Sequence, residues 1–374
     1  MVEITGLCPP RFAPVRDRFA AHFDEGLEVG ARFTATIDGE VVLDLMGGYA
    51  DAARTTPFGP KTLAPVFSST KAVTAVMMAR LVDQKRVTYD TPVAEVWPAF
   101  GQAGKDRVTL GQLMSHQAGL SGLSPEAEPD IWFDPSAVQD RLAAQAPLWP
   151  LGTGSGYHPI TIGYLAGEVF RRLDGRTLGT ALREDLCEPH EIDFWIGLPD
   201  TEHERVAQMR KPPAAPDLGA IDAIKRAAFL DKGSAPAGRG SADWRRMEIP
   251  SANGHGTAEA LARILSIVAG DGALDGRRIL SQETLRALTA ERVRGFDKVV
   301  PFEMIWAAGL MRNTGSNGLG PGPDTVGHYG WGGSMVMADP ERRLSAAYVM
   351  KRQSVHLVAD PRAVALLDAL YASL

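Results

Sequence analysis

At 374 residues with 45% apolar side chains, the chain is long enough for one large domain or two lobes around a substantial core. A formal net charge of -6 and no run of five or more basic residues argue against nucleic acid or an anionic membrane surface as partner. Cys8 and Cys187 lie far apart with no second Cys or paired His beside either, which argues against a metal knuckle and leaves free thiols as the better reading over one disulfide.

The N-terminal stretch MVEITGLCPPRFAP carries Glu3 early and has no apolar core of its own, so the expectation is a cytoplasmic protein without a secretory signal. Residues 11–25 predict an amphipathic helix with Phe12, Val15, Phe19 and Phe23 on one face. Two runs rich in β-branched residues then flank Asp38-Gly39, the signal for a two-residue hairpin turn. From about residue 68 to 290 the periodicity is mostly helical. The window Val73 to Val82 is interrupted by Arg80 and is too short to span a bilayer. Thr109-Leu110-Gly111-Gln112 fits a capping box, and 161–173, 258–268 and 281–288 read as helices. The Pro/Gly/Ser-rich stretches 211–220 and 232–242 read as exposed loops.

Strand patterns return at 306–312, 329–338 and 344–351, the last two joined by a turn at Asp339-Pro340, and 361–373 closes the chain as an amphipathic helix. Strands at both ends with helices between predict an α+β fold. Residues 1–67 and 291–374 would form an antiparallel sheet flanked by N- and C-terminal helices, and 68–290 a mostly helical inserted domain.

Three stretches carry candidate chemistry. In FSSTK, Ser68 and Lys71 stand three apart, which on a helix puts both side chains on one face. A serine hydroxyl needs a base to take its proton, and a nearby lysine amine can supply one. The plain alternative is a helix start followed by a surface lysine. GTGSGYHP places Tyr157 after a glycine-rich turn and before a helix, where a tyrosine can be partly exposed at a site. GHYGWGGS places His328, Gly330, Trp331, Gly332, Gly333 and Ser334 at the head of a strand pair, and glycines there mark a close approach of backbone or ligand. No G-x-S-x-G, H-E-x-x-H or G-x-x-x-x-G-K-[ST] occurs.

Taken in this order, S-x-x-K opening a helix, a Tyr motif and a late glycine-rich strand segment, the sequence resembles the serine β-lactamases and penicillin-binding proteins. The pattern is nearest to the family VIII carboxylesterases, in which Tyr-His and a GHxGxGGS…DP segment stand as Tyr157-His158 and Gly327–Ser334 with Asp339-Pro340 do here. The resemblance implies an active site in the cleft between sheet and helical domain. It implies Ser68 as acyl-accepting nucleophile, Lys71 assisting its deprotonation and Tyr157 as a general base held partly as phenolate. An oxyanion hole would pair the Ser68 N–H with a donor from the 328–334 segment, where either His328-Tyr329-Gly330 or Trp331-Gly332-Gly333 holds the third-motif position. The family's strand lysine and the Asn two after its tyrosine are missing; Pro159 stands in the latter position. Both losses weaken recognition of penicillins and leave attack on an ester intact. The implied function is a carboxylesterase acting through an acyl-enzyme on small acyl esters, without cofactor or metal. The alternatives are a β-lactamase or D-amino-acid peptidase, or a non-catalytic ligand-binding homologue. The oligomeric state stays open. His116 reads as a structural hydrogen-bonder, and His158 as shaping the site.

Overall fold

The Asp38-Gly39 turn takes the conformation its residues favour, with φ of 53° and 84° at the two central positions. It joins β2 (Gly30–Ile37) to β3 (Glu40–Gly48), and β1 (Ile4–Leu7) adds to the outer edge of β3. The structure, a computed structural model, describes residues 2–374. Helix α1 (Ala13–Asp24) follows β1 and buries Val15, Phe19 and Phe23, with Phe12 buried just ahead of it.

A second, small antiparallel sheet comprises β4 (Ala64–Phe67), β5 (Phe194–Trp195) and β6 (Gly254–Gly256), in the order β4-β6-β5, and β7 (Ala273–Leu274) pairs with β8 (Arg277–Arg278). The main sheet is completed by β9 (Val293–Phe296), β10 (Glu303–Trp306), β11 (Met311–Arg312), β12 (Val326–Tyr329), β13 (Met335–Asp339) and β14 (Leu344–Met350). Its nine strands run β1-β3-β2-β14-β13-β12-β11-β10-β9, every neighbouring pair antiparallel. Pairing of β14 with β2 closes the sheet from the two ends of the chain.

Side chains alternate across the sheet as a period of two requires. Leu344, Ala346, Tyr348 and Met350 of β14 join α1 and the C-terminal helix Pro361–Tyr371 in one core, while Ala347 and Val349 face a second. That second core holds the helix Ala258–Ala269 and α2 (Thr70–Asp83), both buried over most of their circumference. Covered on both faces, β13 and β14 are buried at every position rather than alternating. The Thr109 capping box forms as its residues predict, and Thr257 and Ser281 cap the helices that follow them. Among the described residues no helix is long and apolar enough to cross a membrane.

Two expected strands are each divided. The run 306–312 is β10 and β11 with a turn between, where Gly309 (φ 89°) lies against Ala75 of α2. The run 329–338 is β12 and β13 joined by a turn at 330–334. In both, apolar residues occupy the turn because it is buried, so hydropathy alone does not reveal the break. Strands β1 and β9 and the short strands β4–β8 went unread, being two to four residues long.

Candidate active site

Strand β4 turns into α2 through Phe67, a non-glycine residue at φ 48°. L-residues reach this left-handed region at a cost of roughly 1 kcal/mol, and the Thr70 hydroxyl holds the bend by donating to the Phe67 carbonyl. The helix begins at Thr70, two residues after Ser68. Ser69, Thr70 and Lys71 are buried and only Ser68 opens toward the cleft. Ser69 and Thr70 are therefore more than spacers. Ser69 Oγ lies 3.1 Å from Ser334 Oγ, and Thr70 Oγ1 accepts the Gly254 N–H at 2.9 Å.

Lys71 Nζ lies 3.0 Å from Ser68 Oγ and donates to the carbonyls of Pro159 and Ser251, each at 2.8 Å. No carboxylate pairs with it among the described residues, and burial drives its pKa well below the ordinary lysine value. A neutral amine has two N–H donors and one lone pair. Two carbonyls and one hydroxyl match that inventory, with the Ser68 O–H donating to the lone pair. Pro159, at the position of the family's missing Asn side chain, contributes its main-chain oxygen instead.

Tyr157 stacks on Trp306 with ring centroids 5.7 Å apart and planes 1° from parallel, and its ring lies 4.7 Å from Lys71 Nζ. Asp297 anchors this arrangement. Its carboxylate accepts from Tyr157 N–H (2.8 Å), Ser155 O–H (2.9 Å) and Trp306 Nε1–H (3.2 Å), and from the N–H groups of Val299 and Val300. The expected partial exposure of Tyr157 is not found: the residue is 7% exposed. Nor does its environment favour a resting phenolate. Burial raises the phenol above its ordinary pKa, and the nearby Ser68 hydroxyl offsets only part of this. Desolvation penalises whichever form is charged, so it shifts Tyr157 toward the phenol and Lys71 toward the amine.

The histidines around this cluster are neutral. His158 Nδ1–H donates to Gly156 O at 2.6 Å and Nε2 accepts the Leu120 N–H at 2.9 Å; burial lowers its pKa to about 3. His116 Nδ1 accepts the His158 N–H at 3.2 Å, which puts its proton on Nε2. His328 is fully buried, its Nδ1–H donates to Tyr329 O at 2.7 Å, and burial lowers its pKa to about 3. It lies behind Tyr157 and does not line the cleft.

The remaining third-motif residues divide by role. Gly330 N–H donates to Ser334 O and Gly333 N–H to Gly330 O, closing a tight turn. Ser334 Oγ is buried and donates to Val66 O at 2.7 Å, pinning that turn to β4. A Cβ on Gly330 would lie 2.2 Å from Val66 O and 3.2 Å from Ser68 N. Gly332 and Gly333, at φ 87° and 116°, face away from the cleft and pack on Gln353 and on the buried Asp360–Arg362 ion pair. Of the 328–334 segment, Tyr329 and Trp331 line the cleft. Among the described residues, the N–H groups of Ser68 and Trp331 donate to no protein acceptor.

Ser68 and Tyr157 line a cleft of about 910 Å³, open solvent included, walled by Phe229, Trp244, Val300, Met311, Trp331 and Val358. The stretch 232–242, read as an exposed loop, supplies Ser234, Ala235, Pro236 and Arg239 to the same wall. Asp297, Trp306, Ser251 and Phe229 were not singled out from the sequence. Each meets the site across a long separation in the chain, with no local motif to mark it. Among the described residues no group of three or more His, Cys, Asp or Glu is placed to hold a metal ion.

Over residues 18–370 the chain matches the Beta-lactamase family. The chain belongs to the Beta-lactamase family. It is similar to a penicillin-binding protein homolog from Caulobacter crescentus, at 57% identity and a TM-score of 0.98 over 100% of both chains. It is similar to a family VIII carboxylesterase at 38% identity and a TM-score of 0.93, again over 100% of both chains. The esterase/beta-lactamase LipL of Mycobacterium tuberculosis is 35% identical over 96% of this chain and 86% of its own length. At the level these likenesses support, this member of the Beta-lactamase family is a hydrolase of the serine β-lactamase fold.

Proposed function

We propose that the protein is a serine carboxylesterase that acylates Ser68 and prefers esters with small acyl groups. The observation that carries this reading is the contact of Ser68 Oγ with the desolvated Lys71 amine at 3.0 Å, on the floor of an apolar cleft. The Lys71 lone pair takes the Ser68 proton as Oγ attacks the ester carbonyl. The N–H groups of Ser68 and Trp331, free of protein acceptors, receive the developing oxyanion. The Tyr157 phenol, kept protonated by burial, gives its proton to the departing alcohol and regains one from Lys71. Water then cleaves the acyl-enzyme by the reverse proton path. The names of two relatives, a family VIII carboxylesterase and an esterase/beta-lactamase, favour ester substrates. So does the strand position of the missing lysine, filled by a buried, neutral His328.

The test is intact mass spectrometry after brief mixing with 4-nitrophenyl acetate, 4-nitrophenyl butyrate and a chromogenic cephalosporin. An acyl adduct on the Ser68 peptide from the esters is the expected result. An adduct from the cephalosporin alone, with comparable turnover, would replace the esterase reading with a β-lactamase one; absence of any adduct would favour a ligand-binding role. Gly330→Ala is expected to lower kcat about a hundredfold by pushing the Trp331 N–H away from Ser68. Steady-state kinetics with a thermal melt separates this from simple unfolding.

A further inference from the structure

Among the described residues the cleft lining carries one guanidinium, and no ion pair or hydrogen bond engages it. Arg239 lines the same space as Ser68 and Tyr157. Gly238 and Gly240 on either side, at φ 62° and 85°, bend the loop sharply around it. Its guanidinium lies 5.5 Å from the centroid of the Trp331 ring, and that ring is itself backed by Phe229 at 6.3 Å. Among the described residues Arg239 makes no ion pair and donates no hydrogen bond, and its side chain is solvent-exposed at the cleft wall. Among the described residues no Asp or Glu lines the cleft, and Lys71, buried beside Ser68, spends its donors on two carbonyls.

An arginine stays charged at any working pH, and its planar fork pairs best with a carboxylate through two parallel N–H donors. The Trp331 ring beside it adds a cation–π contact that favours the guanidinium lying over the cleft. We infer that Arg239 is a specificity residue that selects esters bearing a carboxylate beyond the scissile bond, on either the acyl or the alcohol side. The inference rests on the esterase reading for turnover, but the carboxylate site stands or falls by binding.

The test uses matched pairs on the full chain. For the acyl side, mono-4-nitrophenyl glutarate is compared with its methyl-capped ester; for the alcohol side, 4-acetoxybenzoate with its methyl ester. The anionic member of at least one pair is expected to show a KM lower by roughly 10- to 100-fold, and the pair that shows it identifies the side. Arg239→Met should collapse that ratio to about one, Arg239→Lys should restore part of it, and added salt should shrink it. In parallel, calorimetry measures benzoate and monomethyl glutarate binding to Ser68→Ala with and without Arg239→Met. Binding lost with Arg239→Met supports the site even if no ester is turned over, a result that would sink the esterase reading alone. Equal ratios in wild type and Arg239→Met, together with no Arg239-dependent carboxylate binding, would overturn the inference.

Discussion

Lys71→Ala is expected to lower kcat for ester hydrolysis by four orders of magnitude or more, about as far as Ser68→Ala, with the double variant falling no further. On the proposed mechanism the two groups act as one device, since the hydroxyl is a nucleophile only while the amine can take its proton. The pH profile tests the amine directly. Lys71 must be unprotonated to act, and burial without a counter-charge sets its pKa well below the ordinary 10.5. Activity should therefore persist as pH falls through the ordinary lysine range and disappear only as pH falls through the depressed value. Lys71→Arg should be inactive throughout, because a guanidinium does not give up its proton. The same depression has a sign in stability. Between the depressed value and 10.5 the unfolded chain binds a proton that the folded chain does not, so the contribution of this group to stability rises with pH across that window. Profiles of kcat/KM and denaturant melts over pH read both effects.

Asp297→Ala is expected to destabilise the fold by about 3–5 kcal/mol and to remove most activity, although the carboxylate touches no substrate. It is 4% exposed and accepts from Tyr157, Ser155, Val299, Val300 and Trp306. Alanine would leave buried donors unpaired and free the Trp306 ring on which Tyr157 stacks. Asp297→Asn keeps one acceptor but turns an N–H₂ toward groups that are themselves donors, so an intermediate loss is expected. Urea melts give the stability change, and kinetics on the still-folded fraction separate positioning from unfolding.

Features legible in the sequence were those set by near neighbours. The Asp38-Gly39 hairpin, the apolar face of α1, the Thr109 capping box and the shared helix face of Ser68 and Lys71 each depend on residues at most a few positions apart. The GHYGWGGS segment showed that something comes close, yet not what. Its glycines serve two ends, since Gly330 admits β4 and Gly332-Gly333 turn over the Asp360–Arg362 pair. Local pattern did not distinguish these, nor reveal that Trp331 faces the cleft while His328 is enclosed. Tyr157 misled because its flanking glycines suggest exposure, whereas burial comes from Trp306 and His116, brought in from other parts of the chain. The very short strands β4, β5 and β6 gave no periodicity to read.

The join between Ser69 and Ser334 spans 265 positions of the chain, and this gives the site a place in time. During synthesis Ser68 and Lys71 emerge well before the Trp331 N–H, the turn that seats it and the strand that ties β13 to β2. On the esterase reading, a nascent chain thus carries Ser68 without the Trp331 donor proposed to steady an oxyanion, and with Lys71 still hydrated. On the esterase reading, acyl transfer by Ser68 waits until β12 to β14 have been made and have joined the sheet.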